Sequence, residues 1–413
     1  MKSIEPIVIK TNQAAKQLRQ ATEKQLKSTL VSLANLLQQH EATILKANAQ
    51  DVAKQQPDDP RNDRLLLNTQ RLVGIGQSIR TIAALPNPSG QKLTSRTLPN
   101  GLLLQKISVP LGVVGAIYES RPNVTFDIAA LCIRSQNACL LKGSSDAFGT
   151  NTAAIKLIKE ALATNHINPD CINLLPGDRE AVQELLTATR YVDVIIPRGS
   201  DSLIQFVRKN SLVPVIETGA GVCHIYIEKD ADLKKAVAIA VNAKVSRPSV
   251  CNAVDTLLVD EEIAQEFLTS LTPLLEQNGV ELFADTKAHR LLKGYSKLQK
   301  ATAADFGREF LSLKCAVKVV KNMDAALQHI QQYSTRHSEA IVSKNKKQCE
   351  RFLQEVDAAA VYSNASTRFT DGEEFGLGAE IGISTQKLHA RGPFALEKLV
   401  TEKWIIKGNG QIR

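Results

Sequence analysis

From residue 111 onward, short continuous apolar runs rich in β-branched residues alternate with stretches of helical period. Leu-Gly-Val-Val-Gly-Ala-Ile-Tyr at 111–118 and Val-Asp-Val-Ile-Ile-Pro at 192–197 are the clearest runs. A strand apolar on both faces must be covered on both faces, so the alternation demands parallel sheets flanked by helices. Strands are expected at 111–118, 138–142, 171–175, 192–197 and 213–217, with helices at 124–135, 147–164, 178–189 and 201–209 between them. A second set follows, with strands at 222–228, 254–259, 316–320, 338–343 and 359–363 and helices at 231–244, 261–276, 323–333 and 345–355. Crossovers of this kind are right-handed. With 413 residues there is room for two or three domains.

Ahead of this region, 11–85 reads as helices, with Leu26, Leu30, Leu33 and Leu37 at helical spacing among Gln and Lys. Pro86-Asn-Pro-Ser-Gly90 ends it. Asn100-Gly101 between extended segments reads as a β-hairpin turn.

Composition narrows the function. A net charge of +9 suits an anionic ligand, but aromatics at 4% supply little for base stacking, so nucleic acid is not expected. Seven cysteines, with no Cys-x-x-Cys pair, point neither to a disulfide framework nor to a metal site, and imply a reducing compartment, the cytoplasm. No signal peptide or membrane span is expected.

Cys251, in Arg247-Pro-Ser-Val-Cys-Asn-Ala, lies between two apolar segments. A partly exposed thiol beside positive charge becomes a nucleophile; a buried one is structural. Three polar clusters follow strands, where open α/β sheets bind ligands. They are Glu119-Ser-Arg-Pro-Asn-Val-Thr125, Leu141-Lys-Gly-Ser-Ser-Asp146 and Ile196-Pro-Arg-Gly-Ser-Asp-Ser202. Asn123 is either an oxyanion donor or a helix cap. Gly199-Ser200 at a helix start makes an anion site from backbone N–H groups. Glu217 closes the expected fifth strand as a base or a cap, and 364–379 is a long polar loop of the kind that usually carries function.

Several stretches together carry a family likeness. They are Val109-Pro-Leu-Gly-Val-Val-Gly-Ala-Ile-Tyr-Glu-Ser-Arg-Pro-Asn-Val-Thr125, Ile196-Pro-Arg-Gly199, Val250-Cys-Asn-Ala253 and Asn364-Ala-Ser-Thr-Arg-Phe-Thr-Asp-Gly372. From about Ala14 to Arg413 the chain resembles the gamma-glutamyl phosphate reductases of proline biosynthesis, within the aldehyde dehydrogenase superfamily. The resemblance implies a Rossmann-type cofactor domain (1–92 and 110–222) and a second α/β catalytic domain (223–385). It also implies a β-hairpin oligomerisation element (93–109 with 400–413).

The implied reaction is NADPH-dependent reduction of L-glutamate 5-phosphate through a cysteine thioester; the alternative is oxidation of a free aldehyde. Cys251 matches the catalytic cysteine and Asn123 the oxyanion-stabilising asparagine. Lys142, Gly199, Ser200 and Glu309 match cofactor contacts. From loop position, Arg121, Ser366 and Arg368 are expected to hold the substrate. Ser200 and Ser144 stand where the family often has glycine. The expected partners are a small-molecule substrate, further copies of the chain in a homo-oligomer, and glutamate 5-kinase.

Overall fold

A computed structural model describes residues 3–56 and 62–413. The chain divides into two compact units: unit 1 is 1–218, 376–382 and 388–413, and unit 2 is 219–375 and 383–387.

Unit 1 begins with helices α1 (Glu5–Leu18), α2 (Glu23–Gln39), α3 (Glu41–Val52), α4 (Asn62–Leu65) and α5 (Thr69–Ala84). Thr22 and Gln25 form a reciprocal capping box that starts α2, and the Leu26, Leu30, Leu33 and Leu37 stripe is fully buried. The hairpin is β1 (Lys92–Thr97) and β2 (Leu103–Pro110). The C-terminal strand Val400–Lys407 pairs antiparallel with β2, giving a three-stranded sheet. Leu93, Trp404 and Ile406 of that sheet are exposed.

Next come β3 (Val113–Tyr118), α6 (Pro122–Arg134), β4 (Ala138–Lys142), α7 (Phe148–Thr164), β5 (Ile172–Leu174), α8 (Arg179–Thr187), β6 (Val194–Arg198) and α9 (Asp201–Asn210). The four strands form a parallel sheet in the order β5-β4-β3-β6. Every residue of β3 and β4 is buried, as continuous apolar runs require. The order reverses between β3 and β6, and ligands of open α/β sheets bind at such a reversal.

The expected strand at 213–217 is reduced to one bridge, Val215 to Ile195. Pro214 has no N–H to offer a ladder; its carbonyl accepts from Ile195 and the chain then turns away.

Unit 2 contains β7 (Cys223–Ile227), α10 (Leu233–Val245), β8 (Val254–Asp260), α11 (Ala264–Gln277), β9 (Glu281–Ala284), α12 (Thr286–Leu291), β10 (Leu298–Lys300), α13 (Ala303–Phe306), β11 (Lys314–Val320), α14 (Met323–Tyr333), β12 (Ser338–Val342), α15 (Lys346–Glu355) and β13 (Ala360–Ser363). Its strands make one parallel seven-stranded sheet, β10-β9-β11-β8-β7-β12-β13. Ile225, Leu257, Val317, Phe267 and Leu271 form its core. Among the described residues no helix is long and apolar enough to cross a membrane.

Candidate active site

Two groups of the expected residues come together, one in each unit. In unit 1 the three polar clusters all leave the carboxyl edge of the four-stranded sheet, after β3, β4 and β6. Ser120 takes a left-handed backbone (φ 28°), uncommon for a side chain larger than hydrogen. Its N–H donates to Ser144 Oγ at 3.2 Å and its hydroxyl to Asp146 at 3.0 Å. The first two clusters are thereby tied to each other.

Asn123 does not cap α6. Pro122 occupies the first helical turn, a position that suits its fixed φ and missing N–H, so Arg121 is the N-cap residue. Asn123 sits one residue further in, half-buried, and its amide donates to Asp127 Oδ2 at 3.2 Å.

Lys142 ends β4 with its ammonium on two carbonyls, Gly143 at 3.0 Å and Gly177 at 3.2 Å. Burial pushes this ammonium below its ordinary range, opposed by the nearby Asp178 carboxylate.

At the turn between β6 and α9, the Ser200 N–H donates to Glu119 Oε2 at 2.7 Å and the Ser200 hydroxyl donates to Glu119 Oε1 at 3.0 Å. A Cβ on Gly199 would lie 2.5 Å from Glu119 Oε2, so only glycine allows this approach. The start of α9 therefore already binds an anionic group, supplied by the chain itself. Ser144 and Ser200 have φ of −70° and −65°, which any residue adopts, so serine in place of glycine brings no strain. Glu217 faces Arg208 at 3.9 Å.

Unit 2 places Cys251 at the opposite kind of edge. The turn 246–253 joins α10 to β8, so the thiol lies at the amino edge of the seven-stranded sheet. All seven cysteines fall among the described residues; six are buried, and Cys251 is the one partly exposed. Its turn is held on several sides. Asn252 Nδ2 donates to the carbonyls of Thr370 (2.9 Å) and Arg368 (3.2 Å), and the Thr367 hydroxyl donates to Asn252 O at 2.7 Å. The Arg368 guanidinium donates to Asn252 Oδ1 and to Ser246 Oγ, the latter at 3.2 Å.

Burial lowers Arg368 from its ordinary range; Asp371 opposes this, the neighbouring Arg247 adds to it, and the Cys251 sulfur opposes it. Ser366 is buried, and its oxygen accepts from Arg368 N at 3.3 Å, capping the short turn 367–369.

Glu309 reaches the same corner. Its Oε1 accepts from Gly221 N at 2.8 Å, and a Cβ on Gly221 would lie 1.7 Å from Cys251 O. Gly221 is thus where the backbone before β7 passes against the backbone of Cys251. The loop carrying Glu309 is anchored beneath by a buried pair, Lys244 Nζ to Asp255 Oδ1 at 3.5 Å. Phe310 N donates to Asp255 at 3.1 Å and Lys244 donates to Ser312 O at 3.4 Å. Burial pushes Asp255 up to about 6, against the pull of Lys244.

Sequence reasoning put Cys251, Glu309, Ser366 and Arg368 forward separately; unit 2 gathers all four. It gave no role to Glu119, Gly221, Cys223 or Asn252. For Gly221 the signal was available, in Glu217-Thr-Gly-Ala-Gly221 directly before an apolar run.

Residues 2–287 match the model of the Aldehyde dehydrogenase family. A gamma-glutamyl phosphate reductase of Chlorobium phaeobacteroides (strain BS1) is 53% identical over 407 residues, covering 98% of this chain and 97% of that one. The crystal structure of gamma-glutamyl phosphate reductase from Thermotoga maritima superposes with a TM-score of 0.95 at 42% identity, covering 100% of both chains. An acetylating aldehyde dehydrogenase from Geobacillus thermoglucosidasius shares the fold, with a TM-score of 0.71 at 17% identity over 99% of this chain and 97% of that one. The chain belongs to the gamma-glutamyl phosphate reductases of the aldehyde dehydrogenase family.

Proposed function

We propose that the protein reduces L-glutamate 5-phosphate to L-glutamate 5-semialdehyde and phosphate, with NADPH, in proline biosynthesis. The observation that carries this is Cys251: a partly exposed thiol on a turn pinned by hydrogen bonds, in a chain 53% identical to a gamma-glutamyl phosphate reductase.

The Cys251 thiolate attacks the acyl carbon, the bond to the phosphate oxygen breaks, and phosphate departs with the bonding pair. A thioester remains on Cys251. The nicotinamide, when bound, supplies the hydride. Collapse of the resulting thiohemiacetal frees the aldehyde and restores the thiolate. Negative charge grows on the former carbonyl oxygen at both tetrahedral stages. The Asn123 amide and the Cys251 N–H are its donors in this reading, each typically worth roughly 3–4 kcal/mol. Arg121 and Arg368, with Ser366 keeping the Arg368 turn in shape, hold the carboxylate and phosphate of the substrate.

The residues of unit 1 fit a dinucleotide: the α9 N-terminus with Gly199 and Ser200 donates to an anion, and Lys142 presents a cation at the end of β4, with β3 between β4 and β6. Glu309 would hold the nicotinamide ribose. A pyrophosphate bound at Ser200 would take the place of the Glu119 carboxylate. Glu119→Gln should therefore tighten NADPH binding about fivefold, since a carboxylate at a helix N-terminus is worth about 1 kcal/mol. Fluorescence titration of the nucleotide measures this, and an unchanged or weaker affinity would remove Glu119 from competition for the site.

The exposed apolar residues of the three-stranded sheet, Leu93, Trp404 and Ile406, support a homo-oligomer. The seven cysteines, none of them in a disulfide among the described residues, support a cytoplasmic setting.

The test of the function is NADP reduction with glutamate 5-semialdehyde, with and without phosphate. Phosphate-dependent NADPH formation is expected. Formation without phosphate would mean hydrolysis of the acyl-enzyme and would make Glu217 the residue to replace.

A further inference from the structure

The grip on the Asn252 side of the turn comes from Thr367, Arg368 and Thr370. The carbonyl of Cys251 itself has a different donor, the thiol of Cys223, the first residue of β7, at 3.2 Å. Cys223 is completely buried. Its sulfur lies 3.8 Å from His337 Nδ1, which is 2.9 Å from Ser338 Oγ. Ser338 Oγ pairs with Thr370 Oγ1 at 2.7 Å, and Thr370 O accepts from Asn252 Nδ2 at 2.9 Å. These contacts close a ring of buried groups beneath the Cys251–Asn252 peptide.

Gly221 lies two residues before Cys223 and packs its bare Cα against the same carbonyl, so the backbone leading into β7 and the Cys223 thiol meet the Cys251 peptide together. Burial pushes the Cys223 thiol well above its ordinary range, with Glu339, Asp255 and Cys251 adding to it. A thiol held above its ordinary range keeps its proton near neutral pH, so it stays a donor.

We propose that Cys223 is a positioning residue for the nucleophile: its S–H fixes the Cys251 carbonyl and through it the direction of the Cys251 side chain. The proposal rests on Cys251 being the nucleophile. A buried carbonyl deprived of its donor carries an uncompensated desolvation cost, and a turn that relaxes to relieve it shifts the Cys251 Cα and the side chain it bears. Small displacements of a reacting group are expensive in rate. A role in packing alone predicts instead that any side chain of similar volume serves equally well.

The two accounts separate in Cys223→Ser, which keeps a donor, and Cys223→Ala, which has none. Three quantities are measured in each and in the wild type: the rate of Cys251 alkylation by iodoacetamide, kcat and KM for phosphate-dependent NADP reduction, and the thermal unfolding midpoint. Because the other six cysteines are buried, alkylation of the folded protein reports on Cys251. The expected result is that Cys223→Ala alkylates and turns over about tenfold more slowly with KM within twofold, while Cys223→Ser recovers to within about threefold of wild type. Should Cys223→Ala fail to fold, Cys223→Val fills the space without a donor and takes its place. Equal losses in the donor and non-donor variants, or no loss in either, overturn the proposal while leaving Cys251 reactive in the wild type. A wild-type Cys251 that resists alkylation overturns the nucleophile reading and this inference with it.

Discussion

Cys251→Ser is expected to lower NADPH formation by about 10³-fold or more, the scale of loss when a covalent nucleophile is removed. The fold should survive, because the substitution changes one partly exposed atom while the turn is held by other groups. Those groups are the Asn252 amide on Thr370 O, the Thr367 hydroxyl on Asn252 O and the Cys223 thiol on Cys251 O. What is lost is chemistry. A serine hydroxyl is scarcely ionised near neutral pH, whereas a thiol forms enough thiolate to attack. Turnover, an unfolding curve and intact-mass detection of an acyl adduct together test this. Substantial activity in a folded Cys251→Ser, or an adduct that persists in it, would place the covalent chemistry on another residue.

Gly221→Ala should be the most damaging change of a residue that performs no chemistry. The added Cβ would lie 1.7 Å from Cys251 O, 2.6 Å from its carbonyl carbon and 3.1 Å from its Cα. All three are backbone atoms, so no rotamer change relieves the clash, and either the Cys251 turn or the 219–222 segment must move. Movement of the segment also pulls Gly221 N away from Glu309. The expected cost is about 2–3 kcal/mol of stability and about 10²-fold in turnover through misplacement of the thiol. Gly74→Ala, where a Cβ meets nothing within 4 Å, is the control and should leave both unchanged or gain slightly in stability. Denaturant titration and kcat on the two variants decide it; a Gly221→Ala protein of wild-type stability and rate would mean that the contact is not kept in solution.

Much of the architecture was legible because its causes are local. Apolar β-branched runs such as 113–118 and 254–260 have no alternative to burial in a parallel sheet, and Asn100-Gly101 specifies a tight turn. The elements between 278 and 306 were not legible. β9 has four residues and β10 three, too few to establish a period, and their place at the end of the sheet follows from pairing, β9 on β11 and β10 on β9. The lost strand at 213–217 was written in Pro214, whose missing N–H outweighed two flanking valines. Of the two readings of Asn123, the cap fails because Pro122 takes the first helical position and leaves the N-cap to Arg121. Cys251 and Lys142 stand out as candidates by residue type, whereas Cys223 donates to a backbone carbonyl, which leaves no trace in residue spacing. Glu119 on Ser200 depends on β3 and β6 being neighbours, a fact of sheet order rather than of sequence.

The Cys251 turn sits at the amino edge of the seven-stranded sheet, and the tips Lys229-Asp230 and Glu261-Glu262 leave the carboxyl edge. Those two exposed tips are where the chain has latitude. They are natural ports for grafting an affinity handle or a fluorescent reporter into unit 2, which would then travel with the enzyme without reaching its thiol.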